Sequence, residues 1–220
     1  MRQADRWGCS IVCLAAAVAL GGAVAAAAAD TPDEHANHSA HVHDAHLAAS
    51  AIAHGPGYAR ITQAYRAPAV PVVRADGTRV DFAADLDDGR PVVLSFIYTT
   101  CTTVCPVQTQ VLARLQARLG AERDRVLIAS VSIDPEHDTP SRLSAYAQSH
   151  GAGPQWRFYT GSEDASISVQ KAFGVYNGDK MSHVPVTFLR AAPGRPWVRL
   201  EGFVTPDELA QELQKVRAAG

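Results

Sequence analysis

In the segment Thr99-Thr100-Cys101-Thr102-Thr103-Val104-Cys105-Pro106, two thiols stand four positions apart, where an apolar run meets a helical pattern. If the turn holding Cys105 is helical, the two residues share a face about 6 Å apart along the axis. That separation suits a disulfide and equally suits two thiolates on one soft metal ion. A bridge closing so short a loop removes little entropy from the unfolded chain, so a purely stabilising disulfide is poorly rewarded. A helix N-terminus at Cys105 is expected to lower a thiol pKa there, which points to reactivity.

The elements that must position this pair are legible on either side. Residues 91–98 are rich in Val, Leu, Ile and Phe and have the length of a buried strand, while 107–119 carries Val111, Leu112, Leu115 and Leu119 at helical spacing. Pro106 suits a first helical turn, where its missing N–H costs nothing. The pattern then predicts a strand at 125–133, a helix at 140–149, a short strand near 156–159 and a helix at 163–173. Residues 70–74 and 78–82 flank Asp76-Gly77, a hairpin signal, and 186–190 and 197–201 flank a second one at Pro193-Gly194-Arg195. Thr205, Pro206 and Glu208 supply the cap, first-turn proline and N3 acid of a last helix. The expected fold class is α/β: a central mixed sheet with flanking helices and an N-terminal hairpin, in the order of a thioredoxin-like fold.

The chain has 220 residues, 47% of them hydrophobic, with a net charge of −2, and nothing in that balance points to nucleic acid. Residues 1–29 read as a secretory signal: Arg2 and Arg6 precede an Ala-rich stretch ending in Ala27-Ala28-Ala29. The competing reading is an uncleaved membrane anchor. Two of the four cysteines, Cys9 and Cys13, lie in that segment, so the exported domain, residues 58–220, carries only Cys101 and Cys105. Export puts the pair where disulfides persist, so holding a metal through thiolates requires a reductant. Residues 30–57 contain His35, His38, His41, His43, His46 and His54 and few large apolar side chains. They read as a disordered tether that either collects transition metal loosely or serves as a soluble spacer.

Two thiolates leave a copper ion short of a third ligand, and the folded region offers His137, His150 and His183. His183 is the choice, because the loop before its strand faces the cysteine turn in a thioredoxin-like fold, and two thiolates with one imidazole suit Cu(I) and, with a further ligand, Cu(II). His150 reads as a helix C-terminal residue and His137 as a solvated one. Asp138 or Thr139 can cap the helix that begins at Pro140. Asp134, at a strand end, can orient a turn or face a partner.

Together with Ser132-Ile133-Asp134-Pro135-Glu136-His137-Asp138-Thr139-Pro140, Ala172-Phe173-Gly174-Val175-Tyr176 and a histidine before a strand, the cysteine segment closely resembles the SCO/SenC proteins. These are thioredoxin-like copper chaperones of cytochrome c oxidase assembly. The resemblance covers about residues 60–218. It implies that Cys101, Cys105 and His183 are the copper ligands and that the copper site of oxidase subunit II is the target. Many relatives carry an acid directly before the histidine, where this chain has Ser182. The expected protein is thus a periplasmic metallochaperone, with oxidase subunit II, a thiol reductant and another copper carrier as partners. The alternative is an enzyme, a thiol–disulfide oxidoreductase that reduces the cysteines of the oxidase copper site through the same thiols. A peroxidase reading has only a thiol and the fold behind it.

Overall fold

The computed structural model describes residues 57–219, so the expectations for the leader, Cys9, Cys13 and the histidine-rich stretch lie outside the described residues. In chain order the elements are β1 (Tyr58–Gln63), β2 (Pro71–Arg74), β3 (Arg79–Asp81), α1 (Phe82–Leu86), β4 (Val92–Ile97), α2 (Val104–Leu119), a 3-10 segment (Gly120–Arg125), β5 (Leu127–Ser132), α3 (Pro140–Ser149), β6 (Trp156–Gly161), α4 (Glu163–Ala172), a 3-10 turn (Lys180–Ser182), β7 (Val186–Arg190), β8 (Trp197–Gly202) and α5 (Pro206–Ala218). All eight strands form one sheet in the order β1-β8-β7-β4-β5-β6-β2-β3. Strands β4, β5 and β6 run parallel, and the remaining pairs are antiparallel. Both expected hairpins form, with Gly77 and Gly194 at the positive φ their turns need.

Strand β4 is buried at every position because helices cover both sides of it. Its alternate residues feed two cores. Val93 and Ile97 join Leu112 and Leu115 of α2, Leu143 of α3 and Leu209 and Leu213 of α5. Val92, Leu94 and Phe96 join Phe82 and Leu86 of α1, Val169 of α4, and Phe173. There the Phe173 ring meets those of Phe96, Phe188 and Trp197 at 6.0, 5.1 and 5.1 Å. Cys101 and Cys105 belong to the first core, at the end of β4.

The starts of α3, α4 and α5 follow the sequence closely. Thr139, Ser162 and Thr205 cap α3, α4 and α5, the last with the full reciprocal box to Glu208. Three features differ from expectation. Strand β1 carries no clear alternation and is mostly exposed, yet it pairs along β8 from Tyr58↔Gly202 to Gln63↔Trp197. It is held from the side as well, since the Arg60 Nε donates to the buried Glu212 of α5 at 2.7 Å. Residues 82–86 become a helix capped by Asp81 instead of finishing the hairpin, and the 3-10 segment takes the first residue of the strand expected from 125.

Candidate metal centre

After Ile97 the chain turns at once, the Cys101 N–H donating to the Tyr98 carbonyl at 3.1 Å. Helix α2 starts at Val104, earlier than its apolar spacing suggests, so Cys105 and Pro106 both lie in its first turn. The preceding Thr103 makes no side-chain capping bond. Instead the Cys105 N–H donates to the Cys101 sulfur at 3.3 Å, so a thiol takes the part usually played by a capping oxygen. Both cysteines are free thiols, Cys101 8% exposed and Cys105 fully buried.

The helix end acts on the first cysteine, which corrects the expectation for the second. Burial pushes the Cys105 thiol up to about 12, and the neighbouring Cys101 adds to the rise. Burial also works against a charge on Cys101, but the N–H groups of Cys105 and Thr103, the Cys105 thiol and the Tyr98 hydroxyl outweigh it and bring the pKa down to about 7. The reason is positional. Unpaired N–H groups point out of a helix N-terminus toward whatever precedes it, away from a side chain already inside the first turn.

His183 follows the 3-10 turn, and its ring Nε2 lies 3.1 Å from the Phe96 carbonyl. The β4–β7 ladder ends at Ser95↔Thr187, one residue earlier, so the imidazole satisfies a carbonyl at the end of the sheet. A carbonyl only accepts, so Nε2 carries the proton and the Nδ1 lone pair is left for another partner. Burial lowers the His183 pKa, partly opposed by this bond, which favours the neutral ring a metal needs. Among the described residues, no set of three or more His, Cys, Asp or Glu side chains converges closely enough to hold a metal ion. The fold thus joins Cys101 to Cys105 and holds His183 at the end of β4 on a different partner.

The other candidates separate clearly. His150 caps α3 and sets its ring at a tilt against Tyr146, centroids 4.4 Å apart, as a helix C-terminal residue. His137 is half-exposed and bonds Asp134 through Nδ1 at 3.0 Å. Asp134 also receives the Lys180 ammonium at 2.5 Å, which fastens the loop before His183 to the end of β5. Burial would raise this carboxyl, but Lys180 and His137 more than offset it and hold its pKa low.

Asp138 does not cap α3, since Thr139 does. It is buried, and it accepts from the Thr99 N–H at 3.2 Å, the Thr99 hydroxyl at 2.5 Å and the Ser132 hydroxyl at 2.6 Å, clamping the root of the cysteine turn to β5. Ser182 donates to Asp179 at 3.0 Å, and the part of an acceptor beside the imidazole falls to the Phe96 carbonyl.

A parallel β4-α2-β5 unit with two thiols at its first turn, closed by a hairpin and a terminal helix, defines a thioredoxin-like dithiol protein. Residues 71–218 match SCO1/SenC, and the chain belongs to that family. The SCO1 protein homolog of Bacillus subtilis is 38% identical over 80 residues, 36% of this chain and 42% of that protein, so the match spans less than half of the relative's length. A structure of Arabidopsis thaliana ScoI with copper bound is 25% identical, with a TM-score of 0.59, covering 70% of this chain and 99% of that one. BsSco, described with a disulfide switch and as a member of the Sco family of cytochrome c oxidase assembly proteins, is 25% identical with a TM-score of 0.61, over 73% and 98% of the two chains.

Proposed function

We propose that this chain is an exported copper carrier that binds one copper ion through Cys101, Cys105 and His183 and delivers it to the copper site of cytochrome c oxidase subunit II. The observation that carries the reading is the joined pair of free thiols at the N-terminus of α2 in a chain of the SCO1/SenC family. The copper-bound Arabidopsis relative supports it. Two soft sulfurs suffice for Cu(I) in low coordination, and His183 joins through Nδ1 by a local shift beyond the fastened 3-10 turn, the more so for Cu(II). The Cys105 thiol gives up its proton when the metal arrives, so affinity rises with pH. Residues 1–29 direct export, 30–57 link the leader to the domain, and 58–220 carry the metal. A thiol reductant of that compartment keeps the pair reduced, and another copper carrier supplies the ion.

The test is copper stoichiometry and X-ray absorption on the reduced full-length chain, expecting one copper with two sulfur neighbours and, for Cu(II), an added imidazole. Copper should raise the melting temperature of the wild type and of neither Cys101→Ser nor Cys105→Ser, the gain being about 2.7 kcal/mol at roughly 100 times the dissociation constant. Equal stabilisation of all three proteins refutes the site. One observation favours a second reading, thiol–disulfide exchange: the contrast of a Cys101 thiol near 7 with a buried Cys105 near 12 suits an attacking and a resolving sulfur.

A further inference from the structure

The two sulfurs that would hold copper are hard to reach: Cys105 is fully buried and Cys101 nearly so. A ligand on a copper donor or acceptor has little access to them, so exchange is sped by an accessible soft atom beside them. The chain has two methionines, Met1 and Met181. Met181 is 74% exposed, in the 3-10 turn just before His183. That turn is fastened, because Asp179 accepts from the Met181 N–H at 2.9 Å and from the Ser182 hydroxyl at 3.0 Å, while Lys180 pairs with Asp134. The Met181 sulfur lies 3.8 Å from the Tyr98 hydroxyl. The carbonyl of the same Tyr98 accepts from the Cys101 N–H at 3.1 Å, so a single residue joins the exposed sulfur's turn to the turn that carries the recessed one.

We propose that the Met181 thioether is a Cu(I) ligand of the exchange step, a surface position through which the ion passes on its way to and from Cys101 and Cys105. The inference rests on the copper-carrier reading and adds to it the route. A thioether is soft, neutral and weakly held, so it binds Cu(I) without losing a proton and lets go easily. On loading, the bond from copper to Met181 forms as a bond to the donor's ligand breaks. Cys101 and then Cys105 displace Met181, each thiol that still carries a proton releasing it to water, and the copper stays Cu(I) throughout. Delivery runs the same exchange in reverse.

The test compares the reduced, full-length wild type with Met181→Leu, which keeps the apolar surface and removes the sulfur. Stopped-flow transfer of Cu(I) from a bicinchoninate complex, and back to excess chelator, should be slowed about tenfold in both directions by Met181→Leu, without a matching loss of equilibrium affinity. A small chelator as donor removes any effect of partner docking. A second measurement uses selenomethionine-labelled His183→Ala, which leaves a coordination position open. Its selenium edge should show a copper neighbour that is absent when Met181→Leu is added. Rates unchanged by Met181→Leu while the wild type binds one Cu(I), or no copper near selenium, overturn the role of Met181 and leave the carrier reading intact. A wild type that binds no Cu(I) overturns the carrier reading itself.

Discussion

Alkylation of the reduced, metal-free chain should separate its two folded thiols by pH. With a pKa of about 7, Cys101 is half thiolate at pH 7, whereas an ordinary thiol near 8.5 is only about 3% ionised there. The roughly fifteenfold gain in thiolate is cut by the lower nucleophilicity of a more acidic thiol, leaving about a threefold advantage at pH 7. Cys105, pushed up to about 12, holds on the order of one thiolate in 10⁵ molecules at that pH. The assay is a short iodoacetamide pulse at a series of pH values, with the modified peptides quantified by mass spectrometry. The Cys101 profile should have its midpoint near 7, and Cys105 should stay unmodified until the domain opens. Because limited exposure slows Cys101 equally at every pH, the midpoint carries the argument. A Cys101 midpoint at or above 8.5, or first modification at Cys105, refutes the view that the α2 N-terminus acts on the preceding sulfur. The same shift bears on stability. The folded pKa of Cys101 lies below its unfolded value, so its contribution, about 2 kcal/mol, is complete above the unfolded pKa and is lost as pH falls through about 7. Cys105 has the opposite sign, and its contribution is lost as pH rises through about 12. Urea unfolding in reductant should therefore show these two groups favouring the folded state most near pH 8.5.

Asp138→Ala should destabilise the domain by about 3 kcal/mol in urea unfolding, because it leaves the buried Ser132 hydroxyl and the half-buried Thr99 N–H without their acceptor; a change under 1 kcal/mol would mean that the clamp is dispensable. His183→Ala should cost about 1–2 kcal/mol without metal by freeing the Phe96 carbonyl, and should weaken Cu(II) binding far more than Cu(I) in competition titrations. Deleting residues 30–56 should slow loading at scarce copper while leaving the affinity of the folded site unchanged, since loosely binding histidines raise the local metal concentration; equal loading rates would make that stretch a spacer.

The large elements were legible because their signals are local. The α3, α4 and α5 caps and both hairpin turns are written in short motifs, and a continuous apolar run can only be a strand covered on both faces. Strand β1 was not legible, since Tyr-Ala-Arg-Ile-Thr-Gln has no buried face of its own and becomes a strand only by pairing with β8 and through Arg60 on Glu212. At the site, the cysteine spacing was plain, but the direction of the electrostatic effect depended on where α2 begins, and a shift of three residues moved the favoured thiolate from Cys105 to Cys101. Asp138 was hidden by a better local explanation, helix capping, which Thr139 satisfies. Its use in clamping Thr99 is a contact across 39 positions that no local pattern records.

The strand directions also fix where β1 begins relative to the thiols. Strand β8 runs parallel to β4, two antiparallel steps away through β7, and β1 runs against both. Tyr58, opposite the last residue of β8, therefore stands at the same pole of the sheet as Ile97 and the cysteine turn. Three strand spacings separate the two, about 14 Å at 4.8 Å each. Had β1 been laid down in the other sense, Tyr58 would stand at the opposite pole, a full strand length further away. The orientation of one edge strand, held by Glu212, thus gives the domain a front, on which the start of β1 and the cysteine turn both lie.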